Sequence, residues 1–208
     1  MFDSTVTGNG HSGVSRSQPA WVGSLAGMPG LALAFLWGLA EGTFFFVVPD
    51  VPISLVALLK PRCAGRHILA AIVGSAIGGM LLFSWSARDP RGAREAVARV
   101  PFVTSGMFAE VHASYRTHGL GALFLGPLSG TPYKIYAVEA PEFLGGAALL
   151  LATVPARGER FLVVWAAFGV AGALLRRFRG RTAPQLALLD GSFWVVLYAF
   201  YWSMIVFR

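Results

Sequence analysis

The sequence predicts an all-α integral membrane protein with about four transmembrane helices and two facing re-entrant helical hairpins arranged as an inverted repeat. Three observations lead there. Hydrophobic residues make up 55% of the 208 and charged residues only 13%, with a mean hydropathy of +0.62, whereas a soluble domain carries roughly a quarter charged residues. Two apolar stretches, near 25–59 and 120–134, are interrupted by Gly and Pro beside a charge. Elsewhere the apolar runs approach the ~20 residues needed to cross a bilayer.

Composition also excludes several classes. Lys and Arg outnumber Asp and Glu by 17 to 10, a net charge of +7. The arginines lie in short loops between apolar runs, where they act as topology signals and meet anionic headgroups, so nucleic acid is not expected as a partner. The single cysteine, Cys63, excludes an intrachain disulfide, a thiolate metal cluster and a CxxC redox pair. No cofactor or metal is implied. Membrane lipids, some of them anionic or phosphate-bearing, are the expected partners, and a homo-oligomer is left open.

Residues 1–20, rich in Ser, Gly and Thr, read as a disordered polar tail without a signal-type apolar core. The rest, 21–208, reads as one membrane domain. From Leu25 to Leu59 the chain is apolar for about 35 residues, about 52 Å as straight helix. That is too long for one span and too short for two. Within it lie Glu41 and Asp50, the latter between Pro49 and Pro52. A carboxylate in hydrocarbon costs about 3 kcal/mol on insertion scales, and a helix broken at membrane depth needs a protein-lined or watery setting. The stretch therefore reads as a hairpin with its tip at 49–52. A tilted span over 30–48 followed by a short surface helix is the alternative.

A basic loop follows at Lys60–His67, then a span over Ile68–Trp85 in which Gly74 and Gly78 form a small-residue face for close helix packing. Residues 86–118 are polar, with Phe108, Val111 and Tyr115 at the spacing of an amphipathic interfacial helix. The apolar arm Leu120–Leu128 is too short to cross and runs into a break at Gly130 and Pro132 carrying Lys134. Helices are then expected over 135–151, kinked at Pro141, and over 161–175, separated by a loop at Arg157, Glu159 and Arg160. A last span covers 186–207. With the basic loops at 88–99 and 176–181 both inside, the loops at 60–67 and 157–160 fall outside. Short Pro-interrupted segments in corresponding halves point to inverted repeats with a midplane binding site.

Glu41, the Pro49-Asp50-Val51-Pro52 tip, Gly74/Gly78 and Gly130-Thr131-Pro132-Tyr133-Lys134 together resemble the DedA/VTT superfamily of SNARE-associated Golgi-type membrane proteins, in particular its small YqaA-like bacterial branch. The resemblance covers roughly residues 30–178. Two positions depart from the pattern: Gly78-Gly79 stands where a Gly-acidic pair is expected, and Lys134 where many members have arginine. The resemblance implies a multi-pass protein of the cell inner membrane that translocates a lipid or lipid-phosphate, as a flippase or scramblase, with or without proton coupling.

Glu41, Asp50, Lys134 and Glu139 are the candidate substrate- or ion-binding residues, and Pro49, Pro52, Gly130 and Pro132 the structural breaks. Asp50 reads either as a titrating cavity carboxylate or as the cap of a half-helix. Lys134 reads as a phosphate ligand, as a partner for Asp50 across the two hairpins, or as a snorkelling interfacial lysine. Glu139 and Glu142 are expected to line the same cavity. The rival classes are a structural or assembly factor without transport activity and an intramembrane enzyme. For a serine protease, Gly126-Pro-Leu-Ser129-Gly130 offers a nucleophile, but no histidine follows it, so no catalytic residue is expected.

Overall fold

The computed structural model describes residues 19–206; the polar tail expected over 1–20 lies outside them except at its last two residues. Every regular element described is helical. Helix α1 (Ala20–Ala26) meets α2 (Met28–Thr43) at Gly27 with a bend of 53°. After the turn 44–49 come α3 (Asp50–Leu59) and α4 (Pro61–Ser86). Two helices, α5 (Pro90–Ala98) and α6 (Ser105–His118), occupy the polar middle of the chain. Then follow a 3-10 turn at Gly119–Gly121, α7 (Ala122–Ser129), α8 (Tyr133–Glu139) and a second 3-10 turn at Ala140–Glu142. The chain closes with α9 (Gly146–Arg179) and α10 (Ala183–Val206).

Local chemistry sets these boundaries. Pro61 and Pro90 open α4 and α5, where the missing N–H has no partner to lose. Asp89 caps α5 by accepting the Gly92 N–H at 2.9 Å. Gly130 ends α7 with φ +77, a left-handed conformation open to glycine, and extended Pro132 precedes α8. Asp50 is the first residue of α3 and its side chain makes no cap hydrogen bond. A carboxylate there still suits the helix dipole.

Three helices are long and apolar enough to cross a membrane, Pro61–Ser86, Gly146–Arg179 and Ala183–Met204, and the bent α1–α2 pair supplies a fourth if taken as one span. These helices make the chain a membrane protein. Exposed Val163, Val170, Val195 and Phe200 give α9 and α10 apolar outer faces.

Two expectations fail over 135–179. The helix expected over 135–151 does not run past Pro141: α8 stops at Glu139, because the proline ring and its absent N–H break the ladder. The loop expected at Arg157, Glu159 and Arg160 is not a loop. A single helix of 34 residues passes through all three and through Pro155. Its two arginines need no aqueous loop because carboxylates from elsewhere in the fold meet them, and Glu159 is exposed.

This one helix also overturns the expected sidedness. An added Cβ on Gly146 would sit 3.2 Å from Met80 and Phe83, near the end of α4, whereas one on Gly169 would lie 3.6 Å from Pro61, at its start. Helices α4 and α9 are therefore antiparallel. Near the far end of α9, a Cβ on Gly172 would meet Leu58 O at 2.3 Å, and Arg176 donates to the same carbonyl. The basic segments 60–66 and 176–181 thus share one end of the molecule, and 88–118 lies at the other.

Small residues let the backbones close up. Added Cβ atoms on Gly38 and Gly74 would lie 2.2 Å from Ala71 O and 2.1 Å from Phe35 O, so α2 and α4 pack almost backbone to backbone. At the 88–118 end, Leu82, Val97, Val111, Tyr115, Ile135, Val138 and Leu149 form the largest core cluster. The Phe108–Val111–Tyr115 face of α6 is turned into this core rather than onto a lipid surface, and the Tyr115 hydroxyl donates to Tyr136 O at 3.0 Å.

Candidate functional site

The turn 44–49 and the break 130–132 meet inside the molecule. Lys134, in the first turn of α8, donates from Nζ to Phe45 O at 3.1 Å. Two further bonds fix the turn. Trp37 Nε1 donates to Val47 O at 3.0 Å, and the Val48 N–H donates to the Tyr198 hydroxyl of α10 at 2.9 Å. Each end of the turn carries a buried carboxylate. Glu41, in the last turn of α2, is 2% exposed, and Asp50, at the start of α3, is 1% exposed.

Arginines of α9 meet both acids. Arg157 Nη2 pairs with Glu41 Oε2 and lies 3.4 Å from Ser75 Oγ. Arg160 grips Asp50 Oδ2, with Nε at 2.7 Å. Lys134 Nζ lies 3.9 Å from Glu41 Oε1. Lys134 therefore joins Glu41, and the pairing with Asp50 allowed by the sequence is not formed; Asp50 Oδ1 has no hydrogen-bond partner. Two carboxylates face three cations, one formal positive charge in excess.

Tyr133 completes the wall. Its hydroxyl bonds Thr153 Oγ1 at 2.7 Å, Thr153 itself donating to Leu149 O, and the Arg157 guanidinium lies 5.2 Å from the Tyr133 ring centre. Gly79 makes room for that ring, since a Cβ there would fall 2.2 Å from the Tyr133 hydroxyl. Glycine is needed there because the tyrosine occupies the space that a side chain would fill.

Beside this network opens a cavity of about 330 Å³. Glu41, Lys134 and Arg160 line its polar part, and Phe46, Phe102, Trp194 and Tyr198 are among the aromatic residues of the rest. Phe102 is the one described non-glycine residue with a left-handed backbone, φ +69. Such a conformation costs on the order of 1 kcal/mol and persists where surroundings enforce it. A site lined by both cations and aromatic rings suits an amphiphile with an anionic head.

Glu139 lies outside this site. Arg94 of α5 holds it through two bonds, one from Nε to Oε1 at 2.5 Å, and His112 Nδ1 is 3.4 Å from both Glu139 and Glu142. The hydrogen bond to Glu139 raises the Arg94 pKa above its ordinary value. His112, Glu139 and Glu142 bring ligand atoms within 4.8 Å of one another. Arg94 already neutralises Glu139, however, so the cluster serves better as a strut between α5, α6 and α8 than as a cation site. Glu139 and Glu142 are not among the residues lining the cavity, and Glu142 borders a different cleft, beside Arg94 and Arg116. The side chain of Ser129 lies outside the described residues.

Sequence reasoning missed Arg157, Arg160, Tyr133 and Tyr198. A signal existed for the arginines: two buried acids require cations, and two arginines three residues apart share a helix face. No family model, curated protein or solved structure matches the chain.

Proposed function

We propose that this protein translocates a lipid or lipid-phosphate across the cell inner membrane, as a member of the DedA/VTT type. The observation that carries the reading is the cavity at the meeting of the two broken segments, with Lys134 and Arg160 in its polar part and aromatic rings around the remainder.

The arrangement of the arms supports it. The start of α2 and the end of α3 both lie at the basic end, where Arg66 reaches Ala26 O and Arg176 reaches Leu58 O. The end of α8 lies at the opposite end, where Ser86 at the close of α4 donates to Val138 O at 2.6 Å. On this reading α2–α3 and α7–α8 are re-entrant hairpins entering from opposite sides, an inverted pair whose tips touch through Lys134 and Phe45. Segments 60–66 and 176–181, basic and without an acidic residue, mark the cytoplasmic side.

The carboxylates Glu41 and Asp50 occupy the cations of the site. A phosphate entering the cavity meets Lys134 and Arg160 and competes with Glu41 and Asp50 for them. The aromatic part accommodates the beginning of the tail. Flip rates of a fluorescent lipid-phosphate in proteoliposomes test the reading. Lys134→Ala and Arg160→Ala are expected to slow transfer about tenfold, the worth of one charge-assisted hydrogen bond. Wild-type rates in folded, correctly inserted variants would instead support an assembly factor.

A further inference from the structure

Residues 99–104 join α5 to α6 at the 88–118 end. Val103 N–H bonds Val100 O at 3.1 Å, with Pro101 and Phe102 between them. Proline followed by a residue with positive φ defines a type II turn, whose third position favours glycine. Here it is phenylalanine. Val97 and Val100 are buried on one side of the turn and Val103 packs on the core at the other, so both flanks are fixed.

The Phe102 ring projects into the cavity wall. It packs on Phe46 of the turn 44–49 at 5.5 Å, and on Tyr198, Tyr201 and Trp202 of α10 at 6.3, 5.4 and 5.0 Å between ring centres. Nearer its start, α10 is held by directional bonds, Trp194 Nε1 to Ser54 Oγ at 2.8 Å and Tyr198 to the Val48 N–H. Toward its end, Tyr201 and Trp202 meet the Phe102 turn through ring contacts, which can separate without orphaning a polar group.

We propose that Phe102 and the end of α10 form a lateral gate, narrowed by the Phe102 ring, through which the apolar tail of the amphiphile leaves the cavity for the bilayer. The gate rests on the reading of the cavity as an amphiphile site. A volume of about 330 Å³ is at the small end of ligand sites, roughly 300–1,000 Å³. It takes a headgroup and the first part of a tail, and a longer chain must extend out of it. The surrounding wall gives most easily where ring contacts alone hold it.

Cavity access tests the gate without any transport assay. In a Cys63→Ser background, Thr131→Cys places a thiol in the cavity lining. Its reaction with a bilayer-soluble maleimide is timed in proteoliposomes. Phe102→Ala and Phe102→Gly are expected to speed labelling several-fold, and Phe102→Trp to leave it at or below the parent rate. Should Phe102→Ala fold poorly, Phe102→Leu is expected to give an intermediate rate. Unchanged labelling in folded Phe102→Gly and Phe102→Leu protein overturns the proposal. Fast labelling in these variants, with no lipid transfer by wild type, leaves the gate standing and removes the translocator.

Discussion

Removing one member of a buried pair strands the other charge, so Glu41→Gln is expected to destabilise the protein by about 3 kcal/mol. The double variant Glu41→Gln with Arg157→Gln should lose less than the sum of the two single changes. Denaturant unfolding in detergent measures both, and additive losses would show that the pair is not coupled. Glu41 and Asp50 were legible from the sequence because a carboxylate in an apolar run needs a reason to be there. Their partners were not legible. Arg157 is 116 residues from Glu41 and Arg160 is 110 from Asp50, and nothing local in the chain encodes such a pairing. Lys134 was visible for the same reason as the acids, yet its partner was open, and the fold selects Glu41 over Asp50.

At the scale of elements, the helix breaks at Gly130 and Pro132 were readable from local backbone chemistry, as was the glycine face of α4. The continuity of α9 was not. Arginines and a proline between two apolar runs read as a loop when the chain is considered alone, and only acids arriving from α2 and α3 make an uninterrupted helix tolerable. The hydrophobic face of α6 was visible, but what covers it was not, because lipid and protein core ask for the same residues. Close backbone approach gives this scale its test. Gly172→Val would drive a side chain into Leu58 O, 2.3 Å from the added Cβ, and is expected to cost about 2 kcal/mol or more. Gly65→Ala on α4, where a Cβ meets nothing within 4 Å, should change the unfolding midpoint little. Equal effects of the two would count against the α3–α9 contact.

For the whole molecule, composition was enough to establish a helical membrane protein, while sidedness went wrong through one miscounted helix. With segments 60–66 and 176–181 at one end, Cys63 is expected to react with an impermeant maleimide added from the cytoplasmic side of oriented vesicles. In a Cys63→Ser background, Arg179→Cys should react from that same side and Arg91→Cys from the opposite one. Labelling of Cys63 and Arg179→Cys from different sides would contradict the antiparallel packing of α4 and α9.

Arg157 and Arg160 sit three residues apart on α9 and hold the two ends of one turn, Glu41 before it and Asp50 after it. Helix α9 is therefore a splint fastened at two points across a bend in another segment. A splint transmits displacement instead of absorbing it: a slide of α9 along its axis carries both ends of the bend together, while a tilt pulls one and slackens the other. Sliding keeps the bend's shape and tilting changes it. With α9 held in place, a motion that opens the 44–49 turn must first release one of the two arginines.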